Sequence, residues 1–343
     1  MQAVILAAGS STRTYPLTLT RPKPLLKAAN KTLLEHNLGA LEGTASEAII
    51  VVGYKKNMIM DFLGNEHKGM KIRYVEQKEQ LGTAHALSMA KKYIKCPFIF
   101  MFGDDIYSRD DIKAVSKERF SLLVSKVKNP ENFGVVIEEN GIVKKIVEKP
   151  KKFVSDLAVC GLYSFDKEIF SYVKKIKKSE RHEFELPDAI RLLIKKEKMT
   201  CIPARRWLPI GYPWNLLIAD KILRKGKNNI AKNSKISGTV KNSSVGSGCI
   251  IRGRVINSII MDDSVVDKDS IVENSIIGQN SYFSGSAKSG KKAFSVVKGK
   301  KIQAGKFRTV IGDNTIAHKV KIKPGCRIWP NRRLTGEVTE DVI

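Results

Sequence analysis

The chain has no apolar run approaching the roughly 20 residues that a membrane helix needs, so neither a span nor a membrane partner is expected. Its N-terminus has no secretory n-region or small-residue cleavage site, because the first apolar stretch runs straight into a polar loop. Cysteine is sparse. Cys96, Cys160, Cys201, Cys249 and Cys326 are odd in number and never in CxxC spacing, which speaks against a disulfide framework or a zinc site. Reduced thiols in a cytoplasm are expected. Acidic residues are also short, 34 against 61 Lys and Arg, for a net charge of +27. Such a charge can report a nucleic-acid partner. Here the cations are spread in pairs such as Lys174–Lys175, Lys177–Lys178 and Lys195–Lys196, and no nucleic-acid-binding motif occurs. A positive field that draws in anionic substrates is the expectation, with no specific nucleic-acid partner.

Residues 3–27 read AVILAAGSSTRTYPLTLTRPKPLLK. Val4, Ile5 and Leu6 suit a strand buried on both faces. Ala7, Ala8 and Gly9 then remove side-chain bulk, so that a base or phosphate can approach the backbone. Ser10, Ser11 and Thr12 add hydroxyls and N–H groups, and the cations Arg13 and Lys23 follow. Loops of this kind hold phosphate through backbone N–H groups and nearby positive charge.

Up to about residue 226 strands and helices alternate. Ala48–Val52, Ile72–Val75, Phe98–Phe102, Ser121–Ser125 and Leu157–Phe165 read as strands; Leu33–Leu41, Thr83–Tyr93 and Leu186–Lys196 read as helices. This pattern predicts an α/β domain, a Rossmann-like mostly parallel sheet with its ligand crevice at the carboxyl ends of the strands. After residue 227 Ile/Val positions recur in roughly six-residue steps (Ile230, Ile236, Val245, Ile251, Ile260, Val266, Val272), and Asn-Ser returns at 242, 257 and 274. Such steps describe a three-sided β-solenoid, with a sandwich of short strands as the alternative. Residues 284–306, rich in Gly, Ser and Lys, read as a loop protruding between coils. The domains expected are therefore 1–226 and 227–343.

The opening string resembles the signature of the sugar-phosphate nucleotidylyltransferases, L-A-A-G-x-G-x-R followed by P-L-T and P-K-P-L-L, over Leu6–Arg13, Pro16–Thr18 and Pro22–Leu26. The second glycine of that signature is Ser11, which fits if the backbone there does not need a positive φ. The coils resemble the left-handed β-helix that follows the catalytic domain in many of these enzymes, where it mediates assembly. That implies a homo-oligomer.

The resemblance implies transfer of a nucleotidyl group from a nucleoside triphosphate to a sugar 1-phosphate. Two anions must meet, so positioning and charge neutralisation carry the chemistry. Leu6, Ala8, Gly9, Ser10, Ser11 and Thr12 would cradle the nucleotide, with Arg13 and Lys23 on the triphosphate. Asp104, in Gly103-Asp104-Asp105, would hold Mg²⁺. Gln77, Gly82 and Thr83, in Gln77-Lys-Glu-Gln80-Leu-Gly82-Thr83-Ala-His85, would receive the base, with Thr83 as an N-cap and His85 structural. A Gln amide offers a donor and an acceptor and so pairs with uracil or thymine, which favours UTP or dTTP over GTP. Gly134, Glu148 and Lys149 match elements that bind the sugar and its phosphate, Lys149 with a catalytic role, and Gly161 would leave room for the sugar ring. Two departures stand out. Pro209 replaces the second metal aspartate of W-x-D-x-G, and Val159 replaces the Asn of N-x-G-x-Y. The rival readings are a mannose-1-phosphate guanylyltransferase and a catalytically weak regulator that binds NDP-sugar.

Overall fold

The computed structural model describes residues 1–95, 97–288 and 293–343; Cys96 and part of the 284–306 segment lie outside the described residues. The chain forms two compact units, residues 1–9 with 34–209 and residues 10–33 with 210–343. The division differs from a single cut at 226: residues 10–33 and 210–226 group with the coils.

The first unit is built on a ten-stranded sheet. In chain order its strands are β1 (Gln2–Ala7), β2 (Glu47–Val52), β3 (Glu66–His67), β4 (Met70–Glu76) and β5 (Phe98–Phe102), followed by β6 (Ser121–Lys126), β7 (Gly134–Glu139), β8 (Ile142–Glu148), β9 (Leu157–Phe165) and β10 (Thr200–Pro203). They lie in the order β7-β8-β10-β6-β9-β5-β1-β2-β4-β3. The sheet is mixed. β5, β1, β2 and β4 are mutually parallel, as the near-continuous apolar runs of β1, β2 and β5 predict. β9 runs antiparallel to β5 and β6, and β7–β8 is an antiparallel hairpin. The helices Thr83–Ala90, Ile169–Val173 and Leu186–Leu193 cover one face, joining Val4, Ile49, Val51, Phe98 and Phe100 in one buried cluster. Leu186, Ala189, Ile190 and Leu193 are buried at helical spacing, which fixes the docked face of the last helix.

In the second unit short parallel strands stack in register as a β-helix. Val245, Ile260, Ile277, Ile311 and Ile328 form one interior column. Ile236, Ile251, Val266 and Phe283 form another, and Val255, Val272 and Ala287 a third. Apart from Ile236, which is exposed, these side chains are buried, and each buried Val or Ile contributes on the order of 1.5–3 kcal/mol of transfer free energy.

The Asn-Ser repeats mark one corner. Asn242, Asn257 and Asn274 adopt left-handed φ of 48°, 49° and 45°, a conformation Asn tolerates better than most residues. The serines that follow form a buried ladder, in which the Ser258 N–H donates to Ser243 Oγ (3.0 Å) and the Ser275 N–H to Ser258 Oγ (3.1 Å). Those links span 15 and then 17 residues. The lengthening explains the slipping six-residue register. Strand Ile250–Ile251 is separated from Arg254–Ile256 by Arg252 and Gly253, whereas Val265–Val266 is separated from Ile271–Glu273 by Asp267–Ser270.

Residues 284–306 depart from the predicted loop. Residues up to Ala287 continue a coil strand, and Ala293–Val297 pairs with Lys300–Gly305 as an antiparallel hairpin. Alternating burial along Ala293–Val297 is the strand signal that Gly, Ser and Lys content obscured.

Candidate active site

In the first unit the four parallel strands end at one edge. β1 delivers Ala8 and Gly9, β2 Gly53, β4 Gln77 and β5 Gly103-Asp104. This is the crevice position that a parallel α/β sheet offers a ligand. The Leu6 carbonyl accepts the Gly103 N–H at 2.8 Å. The Ala8 carbonyl accepts from the Tyr54 N–H (3.0 Å) and from Gln80 Nε2 (3.1 Å). Gln80, three residues from the predicted base reader, is therefore the glutamine that pins the loop. The segment's pattern placed it in the motif without giving it a role.

Gln77 is buried at 5 % exposure, and its Nε2 lies 3.2 Å from the Gly82 carbonyl and 3.0 Å from His85 Nδ1. An amide nitrogen has two protons and no acceptor capacity, so both protons are directed inward. The expectation that Gln77 offers a base both a donor and an acceptor does not hold in this arrangement. Gly82 has φ of 101°, and a Cβ there would stand 2.6 Å from the Phe184 carbonyl oxygen. Its lack of a side chain thus serves close packing against Phe184. Thr83 is the first helical residue and makes no side-chain cap. Its Oγ1 instead accepts the Leu186 N–H at 3.1 Å, because the two helix starts lie side by side.

At the Gly103-Asp104-Asp105 turn the Trp207 indole N–H donates to Asp105 Oδ2 (2.9 Å), and Asn37 Nδ2 donates to the Asp105 carbonyl (2.8 Å). Strand Trp207–Leu208 pairs antiparallel with Ile106–Tyr107. Pro209, the residue that the resemblance sets in place of a second metal aspartate, directly follows that strand and its side chain has no ligand atom. Asp104, beside Asp105 on the same turn, is likewise half-buried. Among the described residues no three His, Cys, Asp or Glu side chains cluster around a common point. A single carboxylate fits Mg²⁺, which keeps several waters and completes its shell with phosphate oxygens.

The residues expected on the sugar side lie in the same unit. A Cβ on Gly134 would stand 2.9 Å from Glu148 Oε2, so glycine is what lets that carboxylate lie over the β7–β8 hairpin. Lys149 follows with φ of 42° and its Nζ 3.6 Å from Glu148 Oε1. Arg181, which no periodic signal marked, bridges Glu148 (3.2 Å) and Glu185 (2.7 Å). Burial pushes the Glu185 carboxyl up, with Arg181 opposing. Gly161 sits where the β9–β6 register shifts, with φ of 77°. A Cβ there would lie 2.4 Å from the Phe102 ring. The space freed by this glycine is taken by Phe102, which corrects the expectation that it makes room for a sugar. A separate cleft of about 640 Å³, lined by Tyr74, Glu76, Ser88, Lys91, Lys92 and Tyr93 among others, shares no residue with these groups.

The second unit carries the rest of the signature. Ser11 has φ of 51° and ψ of 50°, so this position does take the left-handed conformation that the glycine of the signature would adopt freely. Its carbonyl accepts from the Thr14 N–H (3.1 Å), Thr14 Oγ1 (2.7 Å) and Thr18 Oγ1 (3.0 Å), and this turn holds Ser11 in place. Arg13 is exposed, its guanidinium carbon 5.7 Å over the Tyr212 ring, which stacks on Trp214 at 4.7 Å. Lys23 is buried at the start of the short turn Lys23–Leu25. The segment around it is tied to the coils. Arg21 pairs with Asp313, Lys27 with Asp262 (2.5 Å), and Asn30 Nδ2 donates to the Val245 carbonyl (2.9 Å).

Comparison with known proteins places this geometry in context. Residues 2–226 match the family model described as nucleotidyl transferase. The bifunctional protein GlmU of Methanocaldococcus jannaschii is 41% identical over 248 residues, covering 70% of this chain and 60% of that protein. The chain thus corresponds to only 60% of the length of such relatives. AglF of Haloferax volcanii, a UTP–glucose-1-phosphate uridylyltransferase, is 36% identical over 224 residues, 62% of this chain and 92% of its own. A Bacillus anthracis protein provisionally assigned as a glucose-1-phosphate thymidylyltransferase, solved with sucrose, superposes with a TM-score of 0.59 at 29% identity, over 65% of this chain and 96% of that one.

Proposed function

The chain belongs to the nucleotidyl transferase family, and on that premise we propose that it is a sugar-1-phosphate nucleotidylyltransferase. A phosphate oxygen of a hexose 1-phosphate attacks the α-phosphorus of the triphosphate, pyrophosphate leaves, and an NDP-hexose is formed. The observation that carries the reading is the shared strand edge at which β1, β4 and β5 deliver Ala8–Gly9, Gln77 and Asp104.

In this reading Leu6, Ala8, Gly9, Ser10, Ser11 and Thr12 line the nucleotide, and the cations Arg13 and Lys23 neutralise the triphosphate. Gln77, Gly82 and Thr83 form the base end. Gly134, Glu148, Lys149 and Gly161 form the sugar end, where Lys149 offsets the charge of the incoming phosphate. Asp104 would hold Mg²⁺, which when bound would spread the negative charge of the triphosphate. UTP or dTTP with a glucose 1-phosphate or N-acetylglucosamine 1-phosphate is the favoured pair, supported by the likeness to AglF. The same reading makes the coils an assembly module in a cytoplasmic homo-oligomer, which light scattering of the intact chain tests.

Pyrophosphate release over a matrix of nucleoside triphosphates and sugar 1-phosphates is the decisive assay. Turnover with UTP or dTTP is expected. Turnover with GTP and mannose 1-phosphate alone would make the chain a guanylyltransferase. Pro209 favours one other outcome, NDP-sugar binding without turnover, which would make it a regulator. Lys23→Ala and Asp104→Ala should each lower the rate by orders of magnitude, and an unchanged rate removes that residue from the mechanism.

A further inference from the structure

We propose that His85 is a positioning residue that makes Gln77 an acceptor-only reader of the base. At the ring-nitrogen position the site then favours bases with an N–H there (uracil, thymine, guanine) over cytosine and adenine. The inference rests on the nucleotidylyltransferase reading and deepens it.

Gln77 Nε2 is 3.0 Å from His85 Nδ1 and 3.2 Å from the Gly82 carbonyl. Because an amide nitrogen only donates, His85 Nδ1 is the acceptor of this bond, which is the tautomer that carries its proton on Nε2. Rotating the amide by half a turn would set its oxygen against the Gly82 carbonyl, an acceptor whatever the His85 tautomer, so the observed orientation is the one with both bonds made. Among the described residues no hydrogen bond reaches Gln77 Oε1. The side chain therefore has lone pairs, and no proton, left to offer a ligand.

Those lone pairs match N3–H of uracil and thymine or N1–H of guanine. Against N3 of cytosine or N1 of adenine they meet another lone pair. The frame that holds this arrangement is firm. Gly82 is wedged against the Phe184 backbone, Thr83 Oγ1 accepts the Leu186 N–H, and His85 rides in the first turn of the helix Thr83–Ala90. Both partners of the amide thus sit on one braced segment, as a reading group requires. Gln77 alone does not separate uracil from guanine, so that choice must lie with other contacts.

The test measures kcat/KM for UTP and CTP at fixed sugar 1-phosphate in the full chain, His85→Leu and His85→Asn. Leu removes the acceptor at similar bulk, whereas Asn returns an oxygen acceptor near the place of Nδ1. The UTP:CTP preference should fall about 10- to 100-fold in His85→Leu, chiefly through better use of CTP, and be largely restored in His85→Asn. A preference unchanged in His85→Leu, with both nucleotides affected alike, overturns the proposal. If the wild-type chain turns over no substrate pair, the activity reading fails by itself. Calorimetric UTP and CTP affinities then read the same preference without turnover. Should His85→Leu not fold, His85→Ala carries the same comparison.

Discussion

Replacing Asp220 with alanine should be among the most costly single changes in the second unit. Asp220 Oδ2 accepts Arg224 Nε at 2.6 Å, and Oδ1 accepts the Ala29 N–H at 2.8 Å and Ser244 Oγ at 2.5 Å. The two charged side chains are 1 % and 2 % exposed. One carboxylate thereby joins the helix Pro213–Leu223, the hairpin that follows Lys23, and a coil strand. Removing it strands a buried guanidinium and orphans two donors. Breaking a buried pair in this way costs about 3–5 kcal/mol. Asp220→Ala with Arg224→Met should cost less than Asp220→Ala alone, because no charge is then left unpaired, although the Ala29 N–H and Ser244 hydroxyl keep a penalty of about 1–3 kcal/mol each. Urea unfolding of the wild-type chain and the three variants gives the cycle, and amide exchange at Ala29 reports the local loss. A single variant within about 1 kcal/mol of wild type, or a double variant as costly as the two singles added together, would refute the reasoning.

Gly161→Ala should destabilise by about 2–4 kcal/mol, from overpacking against Phe102 plus left-handed strain; Phe102→Leu in the same chain should recover part of that in urea unfolding, and no recovery would assign the loss to strain alone. Ser11→Gly should be neutral to about 1 kcal/mol stabilising, since relief of strain is partly offset by unfolded-chain entropy, while Ser11→Val should cost about 1–2 kcal/mol or more; equal melting temperatures for the two would argue against the left-handed φ. Burial pushes the thiols of Cys201, Cys249 and Cys326 up to about 11 and that of Cys160 higher still. At pH 8 these four should resist iodoacetamide in the native chain and react in a urea-unfolded control, which peptide mapping would show; rapid native labelling of any of them would contradict the burial.

Much of the fold was legible because its signals are local. The apolar runs at residues 3–6 and 98–102 admit little but buried strands, and Leu33–Leu41 is helical as its spacing predicts. The six-residue steps after residue 227 identified three faces, since each interior position must be filled whatever the corners do. The corners were less legible. Their length varies between coils, and a two-residue insertion leaves the interior columns intact while breaking the printed period. The hairpin inside 284–306 was hidden because its second strand exposes Lys300, Lys301 and Gln303, which read as loop.

The sequence by itself determined which residues could form a phosphate loop, a metal turn and a sugar-phosphate lysine, because small residues, carboxylates and cations announce their chemistry by type and order. Only the tertiary structure decided what those residues touch. Gly82 and Gly161 turned out to face Phe184 and Phe102, Asp105 is held by Trp207, and both protons of Gln77 are spent on Gly82 and His85. These partners lie on other strands or a turn of helix away, and packing alone brings them within hydrogen-bond or van der Waals reach. A residue type fixes the bonds that a side chain can make, and the fold fixes which of them remain for a substrate.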